Sequence, residues 1–526
     1  MYDILIKNAD VLDGTGRDRV KRDVAVKDGR IVCLEKDIES AAGRVVDAGG
    51  LILAPGFIDM HVHGDLIPYQ EGPVRLSRIR QGITTDLSGQ CGLGPAPCGR
   101  NGPEWKNCCL SVIGDAGTAS WQWPDFDAFL TETQEQPMLH NQAYLVSHGA
   151  VRAHVVGLGD TPIRAKEQDA LNDTLREALD GGAFGMSFGL SYLPGMYAKT
   201  GELLALARVL ADCERIFMVH IRSHSDQMAE AVTEMIDVAR GSGVKMHLSH
   251  LKSYGNRRFG LTPEQILSLL ENAWAEGLDI TYDEHPYRGG STLLAQVLPP
   301  WMRDGGTDPM CERLQDSQCL RRLERELADP GFGVPGWDHF SRIAGWDHIL
   351  VSSVVDSSLS RWSNRTVAEI AEERQTTPVE ALAGILIADQ GRSTMMMLDI
   401  FRDEDLAELM VPDAAMVGSD GIPTGRSHPR LYGTFPLYLQ KMVRERKVLT
   451  VEEAIHRITG LPAARLGLEK RGRIETGHWA DLVLFEEDGI GVDEEYRQDI
   501  RWPRGIREVF VNGVSADEER GMLIRA

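Results

Sequence analysis

Two histidines separated by one residue follow an apolar segment near the start of the chain. His61 and His63 end the stretch Gly56-Phe57-Ile58-Asp59-Met60-His61-Val62-His63. Side chains two positions apart on a strand point to the same face, so both imidazoles are expected together at the end of this strand. Neutral imidazoles arranged in this way suit a divalent metal ion. The pair alone is weak evidence, and further ligand-type residues are needed to support a metal site.

Other apolar, strand-like segments also end in residues of ligand type, namely Cys91, His220, His250 and Asp420. Each has an ordinary explanation: a cysteine packs as a small apolar residue, and an aspartate before glycine forms a turn or a helix cap. Their joint occurrence at strand ends favours a shared metal site. A thiolate with imidazoles and a carboxylate is a donor set typical of zinc rather than magnesium or calcium. Asp420 can also exchange a proton with a zinc-bound water, which makes it the candidate catalytic residue.

Two further histidines lie close to these segments. His247 alternates out of phase with His250 and is expected to face the surrounding helices. His148 ends the third strand-like segment and is a candidate polar residue of the site.

The middle of the chain alternates strand-like and helical segments. Apolar residues at helical spacing from Met228 to Ala239 predict a helix that ends near Gly241 and Gly243. Eight strands joined mainly by helices predict an α/β fold, a TIM-like (β/α)8 barrel whose active site lies at the C-terminal strand ends. The candidate strands span residues 57–63, 82–91, 143–149, 184–191, 216–223, 245–251, 278–284 and 414–420.

Both ends of the chain are rich in short strands and turns. We expect residues 1–56 and 470–526 to form one small β-sandwich domain, because isolated hairpins are only marginally stable; two unrelated β extensions are the alternative. The catalytic barrel then spans 57–469. Its connection at about 289–410 is too long for a simple βα unit and predicts an inserted helical subdomain, with a helix that begins at Thr377. Its position favours a lid, with peripheral packing as the alternative.

Composition limits the classes of partner. The chain has 526 residues, 42% of them hydrophobic, and a net charge of −22, which argues against nucleic acid and anionic membranes as partners. It has no apolar run near the roughly 20 residues of a membrane helix, and its N-terminus does not have the pattern of a signal peptide. We therefore expect a cytoplasmic protein with free cysteines, and the oligomeric state stays open.

The motifs together resemble those of the amidohydrolase superfamily, and within it the N-acyl-D-amino-acid deacylases, or D-aminoacylases. The resemblance covers essentially the whole chain and includes the HxH segment, Gln90-Cys91-Gly92, His250-Leu251-Lys252, Gly418-Ser419-Asp420-Gly421 and His428-Pro429-Arg430. It implies hydrolysis of small N-acyl-D-amino acids. It also implies a tight zinc site at Cys91, His220 and His250, a second weak or empty site near His61, His63, Cys91 and Asp420, and Asp420 as general acid and base.

The resemblance also implies residues that bind the substrate: Lys252, Arg430, Ser291, Tyr192, His285 and Tyr287. His285-Pro286-Tyr287 departs from the family's Tyr-Pro-Tyr, and His224 stands where an acidic residue is expected. Arg288 and His285 together hint at a substrate with an acidic side chain.

Other functions are weaker interpretations of the same residues. A related zinc enzyme could act on a cyclic amide, such as a hydantoin or dihydropyrimidine, or on a dipeptide. The fourth strand has no lysine to bridge two metals, and this argues against the cyclic-amide branch. A non-enzymatic relative would have no need of intact metal ligands. A serine hydrolase would need a nucleophile elbow, and none stands out in the sequence.

Overall fold

The computed structural model describes residues 1–99, 101–114, 117–256, 258–497 and 500–526. Its centre is a series of parallel strands, each paired with the next in chain order. We number them first to eighth: Phe57–Asp59, Ile83–Ser88, Asn141–Tyr144 with its continuation Val146–Ser147, Gly185–Gly189, Ile216–His220, Lys245–Leu248, Ile280–Glu284 and Ala415–Val417. The predicted α/β class is confirmed.

The first and eighth parallel strands approach each other. The Met60 backbone N–H donates to the Val417 carbonyl at 3.3 Å, and Val62 forms a parallel bridge with Gly421. The strands are shorter than predicted, because pairing stops before the ligand-type residues at most of the C-terminal ends. His61 and His63 therefore lie just beyond the first strand, and His148 begins a helix instead of ending the third strand.

Helices connect the parallel strands and supply much of the core. Up to the seventh strand they span Pro73–Leu76, Gly102–Ile113, Phe126–Gln134, His148–Val155, Ala165–Asp180, Thr200–Asp212, Met228–Ser242 and Pro263–Ala275. The eighth strand is followed by Arg430–Tyr438, the π-helical Leu439–Glu445, Val451–Arg457 and Gly460–Leu466. The predicted apolar stripe of Met228–Ser242 is buried in the main core, and Gly243 ends that helix in a left-handed conformation with a φ of 71°.

Strands from both ends of the chain share one eight-stranded sheet. Ile52–Pro55 pairs antiparallel with Leu482–Phe485, and this pair joins the two ends. The remaining strands of the sheet are Tyr2–Val11, Val20–Lys27, Arg30–Glu35, Ala42–Asp47, Ile506–Val511 and Val514–Ser515.

The segment between the seventh and eighth parallel strands is not purely helical, and in this respect the sequence-based prediction was wrong. It contains a four-stranded sheet of Gly290–Leu293, Ile349–Ser353, Arg365–Thr366 and Thr394–Met397. Its helices are Pro300–Arg303, Thr307–Gln315, Ser317–Ala328, Phe340–Ile343, Val367–Arg374, Pro378–Ala388 and Asp403–Leu409. Thr377 caps one of them as predicted, because its side chain accepts the Glu380 N–H at 3.1 Å. The segment has a hydrophobic core of its own, which includes Leu382 and Met395.

No helix among the described residues is both long enough and apolar enough to cross a membrane. All eight cysteines are free thiols.

Candidate metal centre

Six buried side chains converge where the parallel strands end, and they form two groups that share Cys91. One group is His61, His63, Cys91 and Asp420, and the other is Cys91, His220 and His250. Within each group the donor atoms all lie within 4.8 Å of one another. Cys91 Sγ lies 3.3 Å from His61 Nε2, 3.7 Å from His220 Nδ1 and 3.6 Å from His250 Nε2. All six residues predicted as metal ligands therefore meet in one place.

The local backbone at three of these residues is unusual. Cys91, His250 and Asp420 have φ values of 54°, 35° and 49°, in the left-handed region that non-glycine residues seldom adopt. Next to Cys91, Gly92 has no room for a side chain, because a Cβ there would lie 2.7 Å from the Gly189 backbone nitrogen. At these three positions the chain turns just beyond a strand, and their donor atoms lie within the two groups.

The donor set fits zinc. His220 Nδ1 and His250 Nε2 lie only 2.9 Å apart, and burial lowers the pKa of both imidazoles well below its usual value. Both rings are therefore neutral, the form that binds a metal ion. With the thiol of Cys91 beside them, they provide the sulfur and nitrogen donors that zinc prefers.

Asp420 contacts both the histidine donors and the guanidinium group of Arg430. Its Oδ1 lies 3.3 Å from His63 Nε2 and 3.6 Å from His61 Nε2, and its Oδ2 lies 2.9 Å from Arg430 Nη1. Burial opposes ionisation of this carboxyl, but the Arg430 charge and the His63 contact outweigh it and hold its pKa well below its usual value. Asp420 is therefore an ionised base next to the donor groups.

Asp283, which sequence reasoning missed, supports the ligands. Its Oδ2 lies 3.3 Å from His61 Nδ1 and 3.1 Å from His247 Nε2, and its Oδ1 accepts the His250 backbone N–H at 3.1 Å. A carboxylate on the far nitrogen of a histidine fixes its tautomer and orientation. The prediction that His247 faces the helices was wrong, because its ring contacts this carboxylate.

Arg430, which pairs with Asp420, also contacts residues that follow the seventh strand. Arg430 Nη2 donates to the Ser291 carbonyl at 2.9 Å, and Nη1 lies 3.4 Å from His285 Nε2. The Tyr287 hydroxyl donates to the Pro429 carbonyl at 3.2 Å, directly before Arg430. Tyr287 is fully buried, so in this structure it supports the arginine backbone.

Tyr192 follows the fourth strand, and Lys252 follows the sixth. The Tyr192 ring centre is 4.9 Å from that of His220, and its hydroxyl lies 2.8 Å from the Thr292 hydroxyl. Lys252 Nζ donates to Glu284 Oε2 at 2.7 Å. Tyr192 thus packs against His220, and His285 and Ser291 contact Arg430. Tyr287 contacts the backbone of Pro429, and the charged end of Lys252 is paired with Glu284.

His224 lies directly beside the ligands. Its ring centre is 4.9 Å from that of His220 and 5.1 Å from that of His250, and its Nδ1 lies 3.0 Å from the Lys252 carbonyl. Burial lowers its pKa to about 4, so the ring is neutral at neutral pH. Its backbone N–H donates to Asp338 Oδ2 at 3.0 Å, which ties the long 289–410 segment to the fifth strand's loop.

Two sequence-based candidates have other partners. His148 Nε2 lies 2.8 Å from Glu202 Oε1, and this histidine is in neither donor group. Arg288 pairs with Asp399 at 3.5 Å and Glu494 at 3.9 Å, and its side chain is 46% exposed. Because Arg288 is paired at the protein surface, it does not support the expectation that the substrate has an acidic side chain.

Comparison with known proteins agrees with this geometry. Residues 44–295 and 356–516 match the Amidohydrolase family. The N-acyl-D-glutamate deacylase of Alcaligenes xylosoxydans xylosoxydans is 31% identical over 97% of this chain and 93% of its own length. The D-aminoacylase of the same organism is 28% identical over 99% of this chain and 95% of its own length.

A solved structure is similar over the whole length of both chains. It is the N-acyl-D-glutamate deacylase of Bordetella bronchiseptica with zinc and a phosphonate that mimics the tetrahedral intermediate, with 29% identity, a TM-score of 0.84 and 100% coverage of each chain. The resemblance drawn from the motifs is thus confirmed. The chain belongs to the amidohydrolase family, and within it to the N-acyl-D-amino-acid deacylases.

Proposed function

We propose that this protein is a zinc-dependent hydrolase that cleaves the amide bond of N-acyl-D-amino acids into a carboxylate and a free D-amino acid. The observation that carries the proposal is the convergence of Cys91, His220 and His250 with an ionised Asp420 beside them. The relatives named above match this chain over nearly its whole length, and they support the same reaction class.

Cys91, His220 and His250 are the residues that would hold a tight zinc ion. His61, His63, Cys91 and Asp420 would form a second site that is weak or empty. Bound zinc would polarise the amide carbonyl and lower the pKa of a water to about 7.

Asp420 would act as the general base and then as the general acid. Its carboxylate takes a proton from the attacking water as the water oxygen bonds to the amide carbon. It returns that proton to the amide nitrogen as the carbon–nitrogen bond breaks, so the amine leaves as a neutral group. Arg430, at 2.9 Å, keeps the carboxylate ionised and oriented between these two transfers.

Lys252 and Arg430 would bind the carboxylate of the substrate, with Tyr192, Ser291, His285 and Tyr287 completing the pocket. Two cations fixed by buried partners can hold one carboxylate in a single orientation. Fixing this group at one side of the donor atoms allows only one configuration at the α-carbon to present its amide. The relatives named above, which are deacylases of D-amino-acid derivatives, support the D-configuration.

For the architecture, we propose that the eight parallel strands close into a (β/α)8 barrel at 57–469. Residues 1–56 and 470–526 would form the small β domain. The insertion at about 289–410 would cover the catalytic face, supported by Asp338 on the His224 backbone and by Phe401, whose ring centre lies 4.7 Å from Lys252 Nζ. The free cysteines are consistent with a cytoplasmic enzyme.

A steady-state screen of the zinc-loaded protein tests this function. The panel contains N-acetyl-D- and N-acetyl-L-amino acids, N-acyl dipeptides, hydantoin and dihydrouracil. We expect turnover of N-acetyl-D-amino acids and at least 100-fold lower kcat/KM on their L-enantiomers, corresponding to about 2.7 kcal/mol in transition-state binding. Preference for the cyclic amides or for the L-series would refute the proposal.

A further inference from the structure

The ammonium group of Lys252 already has a buried counter-charge. Its side chain is 5% exposed, and Nζ donates to Glu284 Oε2 at 2.7 Å. Phe401 covers another side, with its ring centre 4.7 Å from Nζ. Because Lys252 follows the ligand His250 by two residues, this ion pair borders the proposed substrate pocket.

Glu284 depends on Lys252 for charge compensation. It is fully buried, its Oε2 also accepts the His285 backbone N–H at 3.2 Å, and its Oε1 has no hydrogen-bond partner among the described residues. The neighbouring Asp283 is also anionic, and burial keeps the His285 imidazole neutral by lowering its pKa well below its usual value. Lys252 is thus the cation that neutralises Glu284.

A substrate carboxylate that binds Lys252 would therefore meet a pair that is already neutral. Lys252 would then face two carboxylates in a buried site while Arg430 is paired with Asp420, and like charges there repel strongly and desolvation is costly. A proton on Glu284 removes this conflict. Burial raises the pKa of Glu284 to about 7, although Lys252 opposes the shift, so this proton is available near neutral pH.

We propose that Glu284 competes with the substrate carboxylate for Lys252, and that substrate binding is accompanied by uptake of one proton from solvent onto Glu284. This inference rests on the proposed function, since it concerns the carboxylate of an N-acyl-D-amino acid. Its consequence is a substrate affinity that falls as the pH rises, for substrates with a free carboxylate beside the scissile amide. The corresponding carboxamides should lack this dependence.

Glu284→Gln tests the competition directly, because glutamine keeps the length and an oxygen for Lys252 but not the charge. For a group that titrates near pH 7, the KM of the wild type should rise about tenfold between pH 6 and pH 8. In the variant the KM should stay flat over this range and be about tenfold below the wild-type value at pH 8, with kcat within about twofold. Glu276→Gln is the matched control, since Glu276 pairs with Arg240 at 2.7 Å on the surface. This control should leave KM and kcat unchanged.

A variant KM at or above the wild-type value at pH 8, or a retained pH dependence, would overturn the inference. If Glu284→Gln does not fold, the pH dependence of KM in the wild type tests the inference. The KM of N-acetyl-D-leucine should then rise with pH about tenfold more than that of N-acetyl-D-leucinamide, and equal dependence counts against the proposal.

Failure of the proposed function can be recognised separately. A wild-type protein that turns over none of these compounds would refute the function. Calorimetric binding of N-acetyl-D-leucine to the zinc-loaded protein at pH 8, where Glu284 of the free protein is ionised, would still measure proton uptake when it is repeated in buffers of different ionisation enthalpy. Binding without proton uptake, or no binding, would then overturn the competition.

Discussion

Replacing Asp420 by asparagine should separate catalysis from zinc binding and from substrate binding. Asparagine keeps the shape of the side chain and removes its ability to accept a proton. The donor group of Cys91, His220 and His250, the proposed tight site, does not include Asp420, so zinc content should stay at the wild-type level. Loss of a general base should lower kcat by about 10²- to 10⁴-fold.

The same substitution should also lower KM. In the wild type, Arg430 Nη1 is paired with Asp420 Oδ2 at 2.9 Å, while Nη2 is held separately by the Ser291 carbonyl. Without the aspartate charge, the guanidinium keeps its position but attracts a substrate carboxylate more strongly. We expect KM to fall by about two- to tenfold, which corresponds to a charge-assisted gain on the order of 1 kcal/mol.

The assay is steady-state hydrolysis of N-acetyl-D-amino acids together with metal analysis of the same protein samples. Asp86→Asn is the matched control, because Asp86 is also buried and pairs with a histidine, His140, at 2.8 Å, but belongs to neither donor group. Its kcat and zinc content should be unchanged. A kcat for Asp420→Asn within tenfold of the wild type, with zinc retained, would refute the role of Asp420 as the base.

Three further perturbations concern the metal centre. Cys91→Ser removes the thiolate shared by both groups and should abolish tight zinc binding; a variant that keeps a full zinc equivalent after dialysis against a chelator would contradict this. Asp283→Asn should weaken zinc binding by about 10- to 100-fold, measured by competition with a chelating dye, because His61, His247 and the His250 backbone lose an ionised acceptor. Chelation should abolish hydrolysis, lower the melting temperature and be reversed by added zinc, whereas activity that persists without metal would exclude a zinc-dependent reaction.

The candidate metal ligands could be predicted from the sequence because each lies at the end of an apolar strand or just beyond it. Parallel strands in one sheet have their C-terminal ends on the same side. The residue type and its position in the strand are therefore enough to predict that His220 and His250 lie close together. The helix cap at Thr377 is also local in origin, because capping depends on residues that are close in sequence.

The supporting residues could not be predicted in the same way. His247 lies on the sixth strand and Asp283 on the seventh, and their contact depends on the register between these strands rather than on alternation within either one. Arg288 follows the seventh strand like a pocket residue, yet its partners Asp399 and Glu494 come from distant segments. The sheet inside the 289–410 segment pairs strands about 100 residues apart, and no local pattern specifies such pairs.

The backbone around the donors indicates that the protein itself holds them in place. A left-handed φ costs a non-glycine residue roughly 1 kcal/mol or more, and Cys91, His250 and Asp420 all have one. A backbone N–H at or directly after each of them donates a hydrogen bond within the protein. Gly92, which follows Cys91, donates to Ser187 Oγ at 3.0 Å, His250 donates to Asp283 Oδ1 at 3.1 Å, and Asp420 donates to the His61 carbonyl at 2.7 Å.

These three bonds come from three different parts of the fold: the fourth strand, the seventh strand and the segment after the first strand. A donor could relax to an ordinary φ only if its turn moved away from one of these anchors. The strain of the left-handed backbone is therefore compensated when the chain folds. Zinc binding then requires little further rearrangement of the backbone. Asp283 accepts the His250 backbone N–H in one donor group and contacts the His61 side chain in the other. A substitution of this carboxylate should therefore disturb both groups at once.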